Sequence, residues 1–388
     1  MVKKGYKQTE IGVIPEDWEV KRLGDIANII RGASPRPINS SIWFDNKSEI
    51  GWVRISDISE SNKYLYTTKQ NLSVKGIENS RYVPVNNLIM SICATIGKVV
   101  ITKKNVCIHD GFVYFKKLDF SNEFLFYFLS SIQKYWINTG QIGSQMNLNT
   151  DIIKNRQIPI PPKPEQEKIA KVLSDTDELI ENLKELITKK EDIKKATMQQ
   201  LLTGKKRLKG FSGEWVERKL GEVAKIKKGD LITQQNAIDG DIPVIGGGLT
   251  PTYFCNISNR KANTITISAS GANAGYVNFY SIPIFASDCS TIEEGNRYNI
   301  KFIYYLLKHK QKDIFNLQSG GAQPHVYPEQ LEKLNVYIPK DITEQKAIAK
   351  ILSDMDEEIE ALKEKLEKTE AIKQGMMQDL LSGRIRLV

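Results

Sequence analysis

The sequence predicts an α+β protein in which two related α/β domains are joined by two long antiparallel helices that form an intramolecular coiled coil with pseudo-twofold symmetry. Three observations support this prediction. A 44-residue segment occurs twice, the stretch that opens each half also occurs twice, and each region between them mixes short β-type runs with one apolar helix. The order along the chain is therefore domain, helix, domain, helix.

The duplicated segment begins at Glu165 as EQEKIAKVLSDTDELIENLKEL and returns at Glu344 as EQKAIAKILSDMDEEIEALKEK. Aligned without a gap, the two copies are identical at 26 of 44 positions. The openings match as well, since DWEVKRLGDIANIIRG at 17–32 corresponds to EWVERKLGEVAKIKKG at 214–229. Because no short period recurs, the chain is a duplication rather than a solenoid.

Each copy of the repeat has the pattern of one long helix. Prolines precede both copies, and Gly204 and Gly383 follow them, where a left-handed residue commonly ends a helix. Within each copy, apolar residues recur every three or four positions, which gives a narrow stripe of average period about 3.5. The predicted helix-pairing residues are Ile169, Leu173, Ile180, Leu183 and Ile187 in the first copy and Ile348, Leu352, Ile359, Leu362 and Leu366 in the second.

An apolar stripe on a Lys/Glu-rich helix must be buried, and the nearest suitable surface is the equivalent stripe of the other copy. Antiparallel pairing follows from the chain order, because it places one domain at each end in the manner of an isologous dimer. With about 40 residues at roughly 1.5 Å each, the pair would be about 60 Å long. The alternative is that each helix packs only on its own domain.

The two globular regions have corresponding patterns of strands and helices. In the first, the predicted strands are GWVRISDI (51–58), NLIMSICATIGKVVIT (87–102) and CIHDGFVYFKKL (107–118), and the helix is NEFLFYFLSSIQKYW (122–136). In the second, the strands are DIPVIGGG (241–248), NTITISAS (263–270) and GYVNFY (275–280), and the helix is KFIYYLLKHKQKDIF (301–315). Both regions therefore belong to the α+β class.

Composition limits the kinds of function. The net charge of +9 and the pI near 9.1 favour a polyanionic partner. No apolar run is long enough for a membrane span, and the first 18 residues lack the apolar core of a secretion signal, so we expect a cytoplasmic protein. The four cysteines form no CxxC pair, and we expect no metal site and no cofactor.

Four motifs together resemble the specificity (S) subunit of Type I restriction-modification systems, and the resemblance spans essentially the whole chain. The segments are TEIGVIPEDWEVKRLGDI (9–26), QIPIPPKPEQEKIAKVLSDTDELI (157–180), MQQLLTGKKRL (198–208) and MMQDLLSGRIRL (376–387). The resemblance implies target-recognition domains at 1–158 and 205–338 and spacer helices at 159–204 and 339–388.

The same resemblance implies a non-catalytic, sequence-specific DNA-binding subunit that recognises a bipartite target in double-stranded DNA, one half-site per domain. Its partners would be two adenine-N6 methyltransferase (M) subunits and, in the full complex, two restriction/translocase (R) subunits, with no membrane. The helices would set the gap between the half-sites and would bind the methyltransferase subunits.

Candidate DNA-binding residues lie in three pairs of segments. Amide, hydroxyl and basic side chains on loops suit base edges, and basic residues suit phosphates. The candidates are Ser144, Gln145 and Asn147 with Gln323 and His325, then Thr95 and Lys98 with Asn273 and Tyr276, and finally Arg31 and Arg36 with Lys227 and Lys228. The alternative for each is an ordinary solvated turn or surface residue.

Two other functions remain open at this stage. One is a nuclease or methyltransferase that acts alone, although the chain has no [DN]PP[YF] tetrad and its GGG run at 246–248 lacks the lysine of a phosphate-binding loop. The other is a coiled-coil assembly protein without sequence recognition. Asp110 and Asp288 occupy matching positions, for which a turn cap is the simpler interpretation.

Overall fold

The computed structural model describes residues 2–118, 120–139 and 148–387 and divides the chain into two units. The first unit comprises Met1–Asn182 and Leu366–Val388, and the second comprises Leu183–Lys365. Each unit therefore contains one globular domain and a section of both long helices.

Short strands and helices alternate through the first half of the chain. The strands are β1 Tyr6–Thr9, β2 Gly12–Pro15, β3 Glu19–Arg22, β4 Asn28–Arg31, β5 Gly51–Val53, β6 Tyr64–Leu65, β7 Gln70–Asn71, β8 Arg81–Val83, β9 Leu88–Ser91, β10 Val99–Thr102, β11 Val106–Ile108, β12 Phe112–Lys116 and β13 Gln157–Ile160. The helices are α1 Leu23–Ile26, α2 Ile55–Glu60, α3 Val74–Glu78, α4 Asn122–Ser131, α5 Gln133–Thr139, α6 Thr150–Asn155 and the long α7 Lys163–Leu201.

The second half has fewer strands. They are β14 Trp215–Lys219, β15 Ile226–Lys228, β16 Ile242–Ile245, β17 Tyr253–Cys255, β18 Thr264–Ser268, β19 Val277–Tyr280, β20 Phe285–Ala286, β21 Cys289–Ile292 and β22 Asn335–Pro339. The helices are α8 Leu220–Val223, α9 Ile300–His309, α10 Gln311–Phe315, α11 Pro328–Glu332 and the long α12 Ile342–Leu380.

The two domains share one topology. The sheet order β4-β12-β9-β10 in the first unit, extended by β6, returns as β15-β21-β18-β19 in the second. A parallel pair, β5 with β11, returns as β16 with β20, and the ladder of β3 with β13 returns as β14 with β22. The first unit adds the hairpin β1-β2, and its second sheet has the order β7-β5-β11-β8. The predicted pair of related α+β domains is confirmed.

Several local predictions were wrong. The run GWVRISDI is a strand only to Val53, because the Asp57 carboxylate accepts a hydrogen bond from the Arg54 amide at 2.7 Å and thereby caps α2, which begins at Ile55. The helices predicted at 122–136 and 301–315 are each divided, since α4 ends at Ser131 before α5 starts at Gln133, and α9 ends at His309 before α10 starts at Gln311. The strands predicted at 87–102 and 107–118 are also each divided by a turn, into β9 and β10 and into β11 and β12.

Each domain core includes side chains from both long helices. In the first unit, Ile169 and Leu173 of α7 lie in the same apolar cluster as Phe124 of α4 and Leu380 of α12. In the second unit, Ile348 and Leu352 of α12 share a cluster with Phe302 and with Leu201 of α7. At these positions the stripe therefore belongs to a core that the domain and the other helix share.

The other predicted pairing residues fall into two groups. Ile180, Leu183, Ile187 and Ile359 are buried, whereas Leu362 and Leu366 are half-buried. The helices run antiparallel within each unit, because later residues of α7 pair with earlier residues of α12. In the second unit, Lys190 Nζ lies 2.6 Å from Glu358 Oε1 and Lys194 pairs with Asp356, two residues earlier.

The LSDxD motif anchors the domains to the helices. Its second aspartate, Asp177, accepts a hydrogen bond from the Tyr127 hydroxyl of α4 at 2.6 Å. The same carboxylate forms an ion pair with Lys373 Nζ of α12 at 2.5 Å. In the second unit, Asp356 accepts from the Tyr305 hydroxyl at 2.7 Å and pairs with Lys194. One carboxylate thus connects three helices in each unit.

The glutamine of the EQ pair also connects each long helix to its domain. Gln166 donates to the Pro161 carbonyl at 2.9 Å and accepts from the Ser121 amide, which lies at the start of α4. Gln345 makes the matching bonds to Pro339 and to the Asn299 amide before α9. The repeated motif therefore fixes the helices to the domains.

The glutamate of the EQ pair binds the arginine that follows the opposite helix. Arg386 Nε lies 2.6 Å from Glu165 Oε1 in the first unit, and Arg207 Nε lies 2.7 Å from Glu344 Oε1 in the second. Trp18 and Trp215 each donate an indole N–H to the same glutamates, at 2.9 and 3.3 Å. Gly204 and Gly383, with φ of 70° and 72°, have the left-handed conformation predicted for them after each long helix.

Candidate nucleic-acid interface

Asp110, in the turn between β11 and β12, organises the first group of candidate residues. Its carboxylate accepts hydrogen bonds from Ser34 Oγ at 2.6 Å and Arg36 Nη2 at 3.2 Å, and its carbonyl accepts from Arg31 Nε at 2.8 Å. The Ser34 hydrogen bond, with the charges of His109 and Arg36, holds the pKa of Asp110 below its usual value. Asp110 is therefore more than a turn cap.

Gly32 allows this basic segment to lie in close contact with the β11–β12 turn. A Cβ at Gly32 would lie 2.0 Å from the His109 carbonyl oxygen, so no larger residue fits there without a shift of the backbone. Arg31 and Arg36 on either side are exposed. The arrangement presents two guanidinium groups to solvent, one of them paired with Asp110.

The turn that carries Thr95 and Lys98 joins the same region. The Ile92 amide, just before this turn, donates to the Gly111 carbonyl at 2.9 Å. Thr95 and Lys98 are both half-buried, and burial lowers the pKa of Lys98. The three other predicted residues of this domain, Ser144, Gln145 and Asn147, lie outside the described residues.

In the second unit, two predicted loops are hydrogen-bonded to each other. The Gly271 amide donates to the Pro324 carbonyl at 3.0 Å, and the Val326 amide donates to Ala269 at 2.9 Å. The loop with Asn273 and Tyr276, both half-buried, therefore lies beside the loop with Gln323 and His325. Gln323 is exposed, and the half-buried His325 ring stacks on Tyr327 with centroids 5.9 Å apart.

Asp288 binds one of these loops, and the residue before it, Ser287, contacts the basic segment. The Asp288 carboxylate accepts a hydrogen bond from the Ser270 hydroxyl. A Cβ at Gly229 would lie 2.0 Å from the carbonyl oxygen of Ser287, which matches the contact of Gly32. The segment that begins with Lys227 and Lys228 is thereby held against the same turn.

The two lysines differ in availability. Lys227 Nζ lies 2.5 Å from Glu293 Oε2, so part of its charge is already compensated. Lys228 is exposed, and among the described residues its ammonium has no acidic partner. Of the pair, Lys228 is the better placed to attract a phosphate.

The described residues contain neither a group of three or more His, Cys, Asp and Glu side chains that could hold a metal ion nor a helix with the length and apolarity to cross a membrane. All four cysteines are free thiols, three buried and Cys93 half-buried. Burial raises the pKa of Cys107 and Cys289 to about 12 in each case. These thiols are therefore protonated and unreactive at neutral pH.

The sequence model of the family described as Type I restriction modification DNA specificity domain matches residues 15–192 and 212–371, which is most of the chain and covers both domains. The chain belongs to this family. As a specificity subunit it is the DNA-recognising, non-catalytic component of its enzyme complex, which confirms the resemblance seen in the sequence motifs.

Similar specificity subunits cover nearly the full length of the chain. The Type I restriction enzyme MjaIX specificity subunit of Methanocaldococcus jannaschii is 24% identical over 98% of this chain and 96% of its own length. The EcoprrI specificity subunit of Escherichia coli is 24% identical over 86% of both chains.

The fold of this specificity subunit is similar to solved structures. The crystal structure of the Type I restriction-modification S subunit from M. genitalium aligns with a TM-score of 0.66 at 20% identity, over 94% of this chain and 96% of that one. This likeness supports the fold.

Sequence reasoning missed the role of the Asp110 and Asp288 networks in this specificity subunit. The signal was present, since both aspartates occupy matching positions and each follows the residue that a matching glycine contacts. What the sequence did not indicate is the long-range partner, because Ser34 and Asp110 are 76 residues apart.

Proposed function

We propose that the chain reads a bipartite DNA sequence, with one half-site for each of the domains 1–158 and 205–338, and positions adenine methyltransferase subunits on that target. The observation that carries this proposal is the duplicated loop arrangement, in which an aspartate between two strands holds the basic segment or a neighbouring loop in each unit. Duplication of a recognition surface suits a target made of two parts.

The side chains at matching positions differ, so the two half-sites should differ. Arg31 in the first unit corresponds to Lys228 in the second, and Thr95 and Lys98 correspond to Asn273 and Tyr276. Basic residues at the opening segments would contact phosphates, and the loop side chains would read base edges in the major groove. The helix segments 159–204 and 339–388 would act as the spacer that sets the unread gap.

Two matching isoleucines support docking of methyltransferase subunits on the helices. Ile193 of α7 is 45% exposed and Ile372 of α12, at the equivalent position of the repeat, is 59% exposed. An apolar side chain kept on the outer face of a charged helix in both copies suits two equal partner molecules. We propose that two methyltransferase subunits bind here, that two motor-nuclease subunits join the full complex, and that the assembly acts on cytoplasmic DNA.

Docking is tested with Ile193→Glu and Ile372→Glu, separately and together. Each single change should halve the methyltransferase bound in size-exclusion chromatography with light scattering, and the double change should abolish it. The matched control is Lys346→Ala, an exposed position near the start of α12. Unchanged binding by the double variant would place the partner elsewhere.

The central experiment maps methylated adenines in cells with and without this gene. We expect one bipartite motif to be present only when the gene is present. Purified chain alone, incubated with Mg²⁺ or with S-adenosylmethionine, should leave DNA unchanged. Turnover by the purified chain would favour a stand-alone enzyme, and the absence of any gene-dependent motif would favour an assembly protein without recognition.

A further inference from the structure

Residues 229–241, here called the amide loop, follow β15 and are fixed at both ends. Near the start, Gly229 packs against the Ser287 carbonyl and the Asp230 amide donates to the Ala286 carbonyl at 2.9 Å. Near the end, the Ile238 carbonyl accepts a hydrogen bond from the Asn256 amide at 3.0 Å. The intervening residues therefore project from a rigid base.

The projecting part presents consecutive amides to solvent. Gln234–Asn236 forms a single 3-10 turn, and every side chain from Thr233 to Asn236 is exposed. Within the described part of the chain, none of these three amide side chains has a hydrogen-bond partner. Their donors and acceptors contribute nothing to the fold and are free for a ligand.

A large apolar side chain lies next to these amides. Leu231 is 87% exposed, the highest value among the exposed large hydrophobic residues described in this chain. The backbone beside it is held, because the Tyr253 hydroxyl donates to the Ile232 carbonyl at 2.8 Å. The Leu231 side chain is therefore available for contact with a ligand.

The amide loop adjoins the predicted DNA-binding loops. The Ile232 amide donates to Ser287 Oγ at 3.4 Å, and the next residue, Asp288, binds Ser270. Ser270 in turn forms a β-bridge with His325. The loops at 229–241, 269–276 and 319–326 are therefore linked through one turn and form a continuous surface of the second unit.

The charges of the amide loop argue against a role on the phosphate backbone. Residues 229–241 contain no lysine or arginine. The Asp230 carboxylate is held by Asn259 Nδ2 at 2.9 Å, and Asp239 and Asp241 follow the anchor at Ile238, outside the projecting part. Amide and apolar side chains without a basic group suit base edges better than phosphates, which neighbouring residues such as Lys228 would bind.

We propose that the amide loop enters the major groove and reads an A·T base pair in the half-site of the second domain, an inference that rests on the proposed function. Asn and Gln amides form paired hydrogen bonds with N6 and N7 of adenine, and an apolar side chain contacts the 5-methyl group of thymine. The loop carries both kinds of group within six residues, from Leu231 to Asn236.

The first test combines Gln234→Ala, Gln235→Ala and Asn236→Ala in the full-length chain and maps methylated adenines in cells. We expect one half-site to lose its preference at an A·T position by about tenfold, with the other half-site unchanged. The matched control is Asn335→Ala, an exposed amide at the start of β22. A motif identical to wild type in both half-sites would overturn the proposal.

The second test uses Leu231→Ala and does not depend on the triple variant folding. Binding of the chain with its methyltransferase subunits is measured on the mapped target with thymine or deoxyuridine in the second half-site, which removes only the methyl group. Wild type should bind the deoxyuridine duplex several-fold more weakly, and Leu231→Ala should bind both equally. Equal binding by wild type at every thymine would contradict the leucine contact.

The two proposals fail in different ways. If wild type produces no gene-dependent bipartite motif, the proposed function is wrong and the assignment of the amide loop is wrong with it. If wild type produces the motif and the triple variant leaves it intact, only the assignment of the amide loop is wrong.

Discussion

Arg386 Nε lies 2.6 Å from Glu165 Oε1, and this ion pair joins the segment after α12 to the first turn of α7 within the first unit. The Arg386 guanidinium also contacts both carboxylate oxygens of Asp17, at 2.9 and 2.8 Å. Glu165 is only 3% exposed. A buried carboxylate with this many charged hydrogen bonds depends on all of its partners.

Arg386→Ala should destabilise the first unit by about 3 kcal/mol, because it leaves Glu165 buried with only the Trp18 indole as a side-chain donor. Hydrogen exchange of peptides covering residues 13–22 measures the local effect. Arg207→Ala should destabilise the second unit by less than Arg386→Ala destabilises the first. The reason is that Glu214, at the position of Asp17, pairs with Lys340 rather than with Arg207. Arg384→Ala, whose side chain is 71% exposed, is the control.

The stability contributed by Glu165 should depend on pH in a defined direction. Burial alone would raise the pKa of Glu165, but the Arg386 and Trp18 hydrogen bonds outweigh it and the net pKa is lowered from 4.5. A carboxyl with a lowered folded-state pKa stabilises the fold above about pH 4.5 and loses this stabilisation as pH falls through the folded value. The pKa of Asp17 is also lowered, chiefly by its hydrogen bond with Arg386, so its contribution to stability has the same pH dependence.

We therefore expect wild type to melt at a higher temperature than Glu165→Gln at pH 7, with the difference shrinking below about pH 4.5. Thermal unfolding at pH 7, 5 and 3 measures it. Glu167→Gln, an exposed neighbour on α7, should match wild type at every pH. A constant difference between wild type and Glu165→Gln across this range would exclude the ionised carboxylate as the cause.

Tyr127→Phe should destabilise the first unit by about 2 kcal/mol, because it removes the hydroxyl that donates to the Asp177 carboxylate at 2.6 Å. Tyr305→Phe should have a similar effect in the second unit through Asp356. Chemical denaturation of full-length variants measures both. Tyr135→Phe is the control, since within the described residues its hydroxyl makes no hydrogen bond. An equal loss of stability in Tyr135→Phe would show that the hydrogen bond to Asp177 is not the cause.

Gly375→Ala should stabilise the chain by about 1 kcal/mol, since Gly375 lies within α12 and no atom lies within 4 Å of the place that an alanine Cβ would take. The repeat supplies the matched control, because the equivalent residue of α7 is Ala196. Ala196→Gly should destabilise by a similar amount. A loss of stability in Gly375→Ala would show that this helix face makes a contact that an added methyl group disrupts.

Lys228→Ala should weaken DNA binding similarly for all sequences and reduce the slope of log affinity against log salt by about 1. Lys227→Ala should reduce the slope by less, because its ammonium pairs with Glu293. Filter binding or fluorescence anisotropy over a series of salt concentrations measures both. Equal slopes for Lys228→Ala and wild type would remove Lys228 from the phosphate contacts.

The sequence predicted the long helices and the related domains well, because these features are encoded locally. The stripe from Ile169 to Ile187 has a helical period, and its repetition at Ile348 reveals the duplication without any structure. The caps at Gly204 and Gly383 were also predictable, since a left-handed position favours glycine.

Long-range pairings were not predictable from the sequence. The ladder of β3 with β13 joins Arg22 to Gln157, and no local pattern specifies a partner so far away. The candidate site has the same character, since Asp110 and Ser34 are 76 residues apart and only the tertiary fold brings them together. The amide loop has no periodicity at all, and its exposure became evident only from the fold.

The composition of the first unit has a consequence for synthesis on the ribosome. Its core is built from residues before Asn182 and from Leu366 onward, including the Leu380 side chain and the Gly383 carbonyl that accepts a hydrogen bond from the Tyr6 hydroxyl. The whole of the second unit is translated between these parts. The core of the first unit can therefore be completed only after the end of α12 has been translated.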